Sequence, residues 1–267
     1  DYGQVLVEIK VSRICGSQIG EIDGVKGEDR WLPHLLGHEA GADVVEVGPQ
    51  VTTVKPDDRV VLHWRPGKGI NAPTPRYDWN GRVVNAGNIT TFSRYAVISE
   101  NRMTSVEKTV DYEICALLAD TLTTGFGVIN NDAVVKIGES VVVFGCGGIG
   151  LGVIQGARLA GANPVVAVGL FDHMLRKAAT YGATHCLNAT RDDVESAVKD
   201  IAGSQGADVV IDGTGNPDVI GSAFGLTASV GRCVLFGVMP HTRSLSLNTL
   251  PLHYGKVLTG SEGGGSR

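Results

Sequence analysis

One run of thirteen residues, Gly138 to Gly150, constrains this chain more than any other: Gly-Glu-Ser-Val-Val-Val-Phe-Gly-Cys-Gly-Gly-Ile-Gly. Val141 to Phe144 is wholly apolar and largely β-branched, which suits a strand buried on both faces. Behind it Gly145, Gly147 and Gly150 give the G-x-G-x-x-G spacing, and Leu151 to Ala160 reads as a helix with apolar Val153, Ile154, Ala157 and Leu159. Gly145 permits a tight strand-to-helix turn, Gly147 lets backbone approach a pyrophosphate, and Gly150 lets the helix pack closely on the sheet. The helix start offers free N–H groups and positive dipole to phosphates. Among 37 glycines the spacing alone arises by chance. Flanked by a strand, a helix and a second apolar strand at Pro164 to Val168, it predicts a dinucleotide-binding fold.

The 267 residues are enough for one large domain or two moderate ones. A formal net charge of -5 leaves no electrostatic footprint for nucleic acid or an anionic membrane. No apolar run in the sequence approaches the ~20 residues of a bilayer span, and no signal peptide opens the chain. Cys15, Cys115, Cys146, Cys186 and Cys233 are odd in number and scattered, which fits a reducing cytoplasm rather than a disulfide framework. The chain opens at Asp1, runs straight into a strand, and ends in Gly263-Gly264-Gly265-Ser266-Arg267, so both ends are expected to be clipped.

Residues 4 to about 120 lack strand–helix alternation. Strand-like runs at Val5–Val11, Ala42–Val47, Arg59–His63 and Tyr95–Ile98 predict a small, partly antiparallel β domain. Residues 65 to 90 read as a long Gly/Pro/Asn-rich loop ordered by Tyr77 and Trp79. From about Gly125 the rhythm becomes strand–helix–strand. Expected strands are Val141–Phe144, Pro164–Val168, His185–Leu187, Asp208–Asp212, Arg232–Phe236 and Lys256–Leu258. The fold class is therefore α/β, a doubly wound parallel Rossmann sheet preceded by a β-rich domain.

Cys15-Gly16-Ser17, Gly37-His38-Glu39-Ala40 through Gly48, Thr124-Gly125-Phe126-Gly127, Gly145 to Gly150, Gly182-Ala183-Thr184 and Gly237-Val238-Met239-Pro240 together carry a resemblance to a known family. The chain resembles the zinc-dependent alcohol dehydrogenases of the medium-chain dehydrogenase/reductase family over nearly its whole length. One departure is Ala42, where the family has glycine. The resemblance implies a GroES-like catalytic domain over residues 1–122, a Rossmann domain over 123–260, and in 261–267 the start of a truncated return to the catalytic domain. It places the active site in the cleft between domains.

The family implies a catalytic zinc with three protein ligands and an open fourth position; alcohol dehydrogenase is the standard Cys₂His example. By resemblance Cys15 and His38 are two ligands. The third ligand position is Asp120 rather than cysteine, and zinc accepts carboxylate oxygen. The alternative for Asp120 is a helix-capping acid ahead of Thr121, with Cys115 as the fallback ligand. Glu39 is expected to steer the zinc field or coordinate transiently. Ser17 matches the hydroxyl that accepts the substrate proton, while Gly20 stands where relatives continue the relay through histidine. Water or a cofactor ribose would then carry the proton outward. The four-cysteine lobe that binds a structural zinc in many relatives has no counterpart in residues 63 to 90.

Gly145, Gly147, Gly148, Ile149 and Gly150 are the expected cofactor-binding turn, with Thr124, Phe236 and Val238 near the nicotinamide ring. NAD-binding folds place an acidic residue at the end of the second strand, and that position here is Gly169. A glycine removes both the ribose acceptor and the repulsion against a 2′-phosphate, so NADP(H) is favoured over NAD(H). Tyr181 matches a tyrosine near that phosphate in NADP-using relatives, or else packs its helix. His173, Arg176 or Lys177 would supply the cation. The expected function is a zinc-dependent hydride transfer between an alcohol, polyol or sugar-type hydroxyl and a nicotinamide cofactor. The alternatives are a zinc-free quinone-type reductase and a non-catalytic NAD(P)-sensing module. Trp64, flanked by His63 and Arg65, is expected on the pocket wall or as a loop anchor. A cytoplasmic homo-oligomer acting on a small molecule, without nucleic acid or membrane, completes the expectation.

Overall fold

The computed structural model describes residues 1–25 and 27–266. The chain divides into two compact units, Asp1–Asp120 and Thr121–Ser266. The division falls just ahead of the helix at Thr121, and residues 261–266 lie with the second unit.

The first unit is built on β1 (Gln4–Ser12), β2 (Glu39–Val47), β3 (Arg59–His63), β6 (Tyr95–Ser99) and β7 (Met103–Val106). They form an antiparallel sheet in the order β6-β1-β2-β3-β7. Alternating side chains from these strands, Val5, Val7, Ala40, Ala42, Val44, Val60, Leu62 and Ile98 among them, fill one core. Ala42 is fully buried there, so the methyl that departs from the family's glycine fills core space. Gly41 cannot take one: a Cβ would lie 2.5 Å from the carbonyl oxygen of Tyr112. There α2 (Tyr112–Leu118) crosses close over β2. The short α1 (Gly16–Ile22) follows β1.

Residues 65 to 90 are not wholly loop. They hold a hairpin, β4 (Arg76–Trp79) and β5 (Arg82–Asn85), around Asn80-Gly81, both at positive φ. Asn-Gly between paired strands is a primed two-residue turn, whose twist matches the strands. Tyr77 ties the hairpin down, its hydroxyl accepting from the Val97 N–H at 3.0 Å. Trp79 does not, being 64% exposed.

The second unit holds β8 (Val141–Phe144), β9 (Val165–Gly169), β10 (His185–Asn188), β11 (Ala207–Asp212), β12 (Thr227–Leu235) and β13 (Val257–Gly260). All pair parallel in the order β10-β9-β8-β11-β12-β13. The chain steps outward from β8 and then returns to its other side, so the switch point lies between β8 and β11. Val141 and Val143 face one core with α4 (Gly148–Leu159) and α5 (Asp172–Tyr181). Val142 and Phe144 face the other with α6 (Val194–Ala202) and α7 (Pro217–Leu226). Ahead of β8, α3 (Thr121–Gly127) continues into a π-helical turn at Val128–Asp132. It is knit to α4 by bare backbone: a Cβ on Gly125 would meet the Gly152 carbonyl carbon at 2.7 Å.

The helical stretch Tyr112–Asp132, 21 residues long, is apolar and long enough to cross a membrane, which corrects the expectation that nothing approached that length. More than half of it is buried, as in the core helix of a folded protein.

Candidate metal centre and dinucleotide cradle

In the first unit Cys15 at the entry of α1, His38 and Glu39 at the start of β2, and Asp120 beyond α2 converge. Their ligand atoms all lie within 4.8 Å of one another. The three positions expected to hold metal are thus brought together, and Glu39, fully buried, joins them as a fourth donor. Cys115 stays out: it is buried against Val61 and Ala119, where burial raises its thiol pKa.

Neighbouring side chains hold each donor. The Asp120 Oδ1 accepts from the Trp64 indole N–H at 3.0 Å, leaving Oδ2 3.4 Å from His38 Nε2. Trp64 is therefore an anchor of the cluster, fixed in turn by Arg102 Nη1 donating to its carbonyl and by Arg65 over its ring. His63 is spent on the Arg65 carbonyl and the Thr104 hydroxyl. Arg13 Nη1 stands 3.6 Å from Glu39 Oε2. Gln18, 2% exposed, bridges two donors: its Oε1 accepts from the Cys15 N–H at 2.7 Å and its Nε2 meets His38 Nδ1. That leaves Nε2 of His38 as the ring atom directed at the cluster. Sequence reasoning missed Gln18; its signal is the spacing, one helical turn after Cys15.

The donor set fits a metal. His38 Nε2 is buried without a hydrogen bond among the described residues. Burial opposes charge on His38, yet Asp120 and then Cys15 outweigh it and lift its pKa to about 9. Burial likewise opposes ionisation of Cys15, and His38 foremost reverses it, so the thiol falls below its ordinary value. A soft, a borderline and a hard donor crowded around one point match the donor types that zinc accepts. The Ser17 hydroxyl oxygen is also buried, beside the Cys15 thiol, whose ionised form it favours. A cavity of about 640 Å³ in this unit is lined by Gln18, Trp31, Leu36, His38, Arg76 and Ile89, among others. Trp31, not Trp64, is the tryptophan on its wall.

In the second unit β8 runs through Gly145, at φ +95°, into α4. A Cβ on Gly150 would strike the Gly145 carbonyl oxygen at 1.9 Å, whereas one on Gly147 would meet nothing within 4 Å. That open space, over Gly148 and Ile149 at an α4 start with no side-chain cap, fits a pyrophosphate. Across from it Asp212, buried at the end of β11, accepts from the Thr214 hydroxyl at 2.7 Å and shapes the facing turn. Gly169 ends β9, where an added Cβ would touch Cys146 Sγ and Leu175 Cδ2 at 3.4 Å. Tyr181 is not brought there. It closes α5 nine residues beyond Asp172, about 13 Å along the axis at 1.5 Å per residue. Thr124 is buried on α3. Phe236 lies over Gly213 and packs on the core, while Val238 is 66% exposed.

Residues 1–108 match the alcohol dehydrogenase GroES-like domain family, and residues 148–267 match the zinc-binding dehydrogenase family. The S-(hydroxymethyl)glutathione dehydrogenase of Paracoccus denitrificans is 33% identical over 300 residues, covering 99% of this chain and 79% of the relative. The solved benzyl alcohol dehydrogenase of Acinetobacter calcoaceticus is 26% identical with a TM-score of 0.87, covering 99% of this chain and 78% of that one. A zinc-binding dehydrogenase structure from Sinorhizobium meliloti 1021, bound to NADP, is 25% identical with a TM-score of 0.81, covering 97% and 77%.

Proposed function

We propose a function that proceeds from one premise: this chain belongs to the zinc-dependent alcohol dehydrogenases of the medium-chain dehydrogenase/reductase family. It is a zinc-containing oxidoreductase that moves a hydride between an alcohol and a nicotinamide cofactor. The observation that carries the detailed reading is the convergence of Cys15, His38, Glu39 and Asp120.

In this reading the first unit is the GroES-like catalytic domain and the second the Rossmann domain. Cys15, His38 and Asp120 hold one zinc per chain, with Glu39 as an exchangeable fourth donor. When bound, zinc supplies Lewis-acid polarisation of the substrate oxygen, and the nicotinamide supplies the hydride acceptor. The chain's own residues do the rest. Gln18 keeps His38 in register, Trp64 orients Asp120, and Arg13 offsets part of the Glu39 charge. Ser17, its hydroxyl oxygen buried beside Cys15, takes the proton from the substrate hydroxyl. The bare Gly145–Gly150 turn takes the pyrophosphate. Gly169, without a carboxylate, supports NADP(H) over NAD(H), as does the NADP-bound relative.

The relatives' names cover S-(hydroxymethyl)glutathione and benzyl alcohol, both bearing a CH2OH group. The cavity beside His38 suits the body of a small-molecule alcohol, with Leu36 and Ile89 as apolar wall and Arg76 as a polar end. Five free thiols accord with a reducing, cytoplasmic setting, and a homo-oligomer completes the reading. Zinc analysis beside alcohol-dependent nicotinamide reduction tests it. Asp120→Ala should lose zinc and turnover together; a variant that keeps both would remove Asp120 from the site.

A further inference from the structure

The adenosine end of a dinucleotide lies at the C-terminal end of the second strand of such a sheet. There an acidic side chain serves the ribose in NAD-binding folds, and a nearby arginine accommodates the 2′-phosphate in NADP-binding ones. In this chain that strand is β9, and its last residue, Gly169, brings no side chain. The neighbouring strand supplies what β9 lacks. β10 pairs with β9 to its final residue, Asn188 against Gly169, and the Ala189 N–H donates to the Gly169 carbonyl at 2.9 Å. The turn that follows β10 is thereby carried to the same edge.

From that turn Arg191 reaches Asp172, the first residue of α5 and three beyond Gly169. Nη1 donates to Oδ2 at 3.0 Å and Nη2 lies 2.9 Å from Oδ1, a two-pronged contact. Asn188 Nδ2 donates to the same Oδ1 at 2.7 Å, and the Asp192 Oδ1 stands 3.9 Å from Arg191 Nε. Arg191 first, then Asn188, with the charge of Arg176 one turn along α5, hold the Asp172 carboxyl down at about 2. Both side chains of the pair are largely in water, 59% and 50% exposed. An ion pair so exposed is held by little free energy and exchanges readily. A phosphate offers the same planar guanidinium a more highly charged, equally two-pronged partner.

We infer that Arg191 is the residue that recognises the 2′-phosphate of NADP(H), with Asp172 as the resting carboxylate that the phosphate displaces. The inference rests on the reading that the Gly145–Gly150 turn binds a nicotinamide dinucleotide. It assigns the discrimination to the third strand's turn rather than to the helix residues His173, Arg176 and Lys177 alone. Asp172 sets the selectivity from the other side: it competes for Arg191 and repels the incoming anion.

Isothermal titration of the zinc-loaded protein with adenosine 2′,5′-bisphosphate and with 5′-AMP separates the phosphate from the rest of the nucleotide. Arg191→Gln should weaken the bisphosphate roughly 10- to 100-fold, the loss expected for charge-assisted hydrogen bonds, and leave 5′-AMP within about twofold. Arg191→Lys, which keeps the charge and loses the fork, should fall between. Asp172→Asn should tighten the bisphosphate. Thermal melts of each variant keep loss of fold apart from loss of affinity. A wild-type protein that prefers 5′-AMP would refute the NADP(H) preference, while a selective loss in Arg191→Gln would still uphold the role of Arg191. An unchanged bisphosphate affinity in Arg191→Gln, or equal losses for both nucleotides, overturns the inference and leaves Arg191 as a pin of the turn.

Discussion

Glu100 offers a test of the first unit that can be worked out atom by atom. It is fully buried, and its Oε1 accepts from the Thr52 N–H at 2.7 Å, the Thr53 N–H at 2.9 Å and the Thr53 hydroxyl at 3.0 Å. Its Oε2 accepts from the Ile70 N–H at 2.8 Å, so one carboxylate pins two loops to the end of β6. Glu100→Gln keeps the volume and one oxygen. With that oxygen facing Thr52 and Thr53, the new amide turns its N–H against that of Ile70. One buried N–H is left unmade, about 1–3 kcal/mol, and three charge-assisted bonds become neutral ones, somewhat offset by the easier burial of an amide. A net loss of about 2–4 kcal/mol follows. Gly69 blocks relief by movement, since even a Cβ there would meet Glu100 Cγ at 2.7 Å. Trp31, Trp64 and Trp79 all lie in the first unit, so tryptophan fluorescence in urea follows that unit alone. With a slope of ~2 kcal/mol/M, the midpoint should drop by about 1–2 M. Burial opposes the Glu100 charge, but the Thr52, Ile70 and Thr53 donors outweigh it and lower its pKa. Its contribution is therefore present above the ordinary Glu pKa and lost as pH falls through the folded one. The gap between variant and wild type should close in acid. A midpoint shift under about 0.3 M at neutral pH would refute the accounting.

Three further outcomes are expected. Trp64→Phe keeps the ring and deletes the N–H to Asp120, so zinc affinity in chelator competition should fall about 10- to 100-fold, and an undiminished affinity would return Trp64 to a packing role. Gly169→Asp should favour NAD(H) over NADP(H) in direct titration, because the added Cβ meets only ordinary contacts at Cys146 and Leu175; an unaltered ratio counts against Gly169 as a determinant. In zinc-free protein the His38 pKa of about 9 exceeds its unfolded value of 6.5, so this stabilisation is complete below pH 6.5 and is lost as pH rises towards 9. Melting of the apoprotein across that range, compared with a His38→Ala variant, checks the sign.

Strands that are apolar throughout were plain in the sequence. The run Val141–Phe144 and its neighbours form one parallel sheet, because a strand buried on both faces has no polar alternation to confuse it. The hairpin around Asn80-Gly81 was harder to see, since its strands are short and mostly exposed, although the Asn-Gly turn stood in the open. β7 was missed because Met103–Val106 carries two exposed polar residues in four. The ligand positions Cys15, His38 and Asp120 could be named only through the family's register, since they lie far apart in the chain. Of the shell around them, Glu39 and Trp64 were singled out but their partners were not. The Gln18 contact to Cys15 follows local spacing, but its reach to His38 and the Trp64 grip on Asp120 depend on how β2, β3 and α2 close, which no local pattern encodes. Tyr181, named from its place before Gly182-Ala183-Thr184, closes α5, while Asp172 opens it.

The bare contact between α3 and α4 bears on how this protein can change over time. Gly125 lies on the Gly152 backbone, and Gly127 on that of Gly264. Most partnerships in a core can drift, one side chain shrinking as its neighbour grows. Where main chain meets main chain there is nothing to trade, because no substitution on either side restores the lost space. Sequence variation is therefore barred from this seam even by compensated pairs. The two helices inherit a fixed separation, and the helix that begins at the Gly145–Gly150 turn cannot shift without taking Thr124 with it.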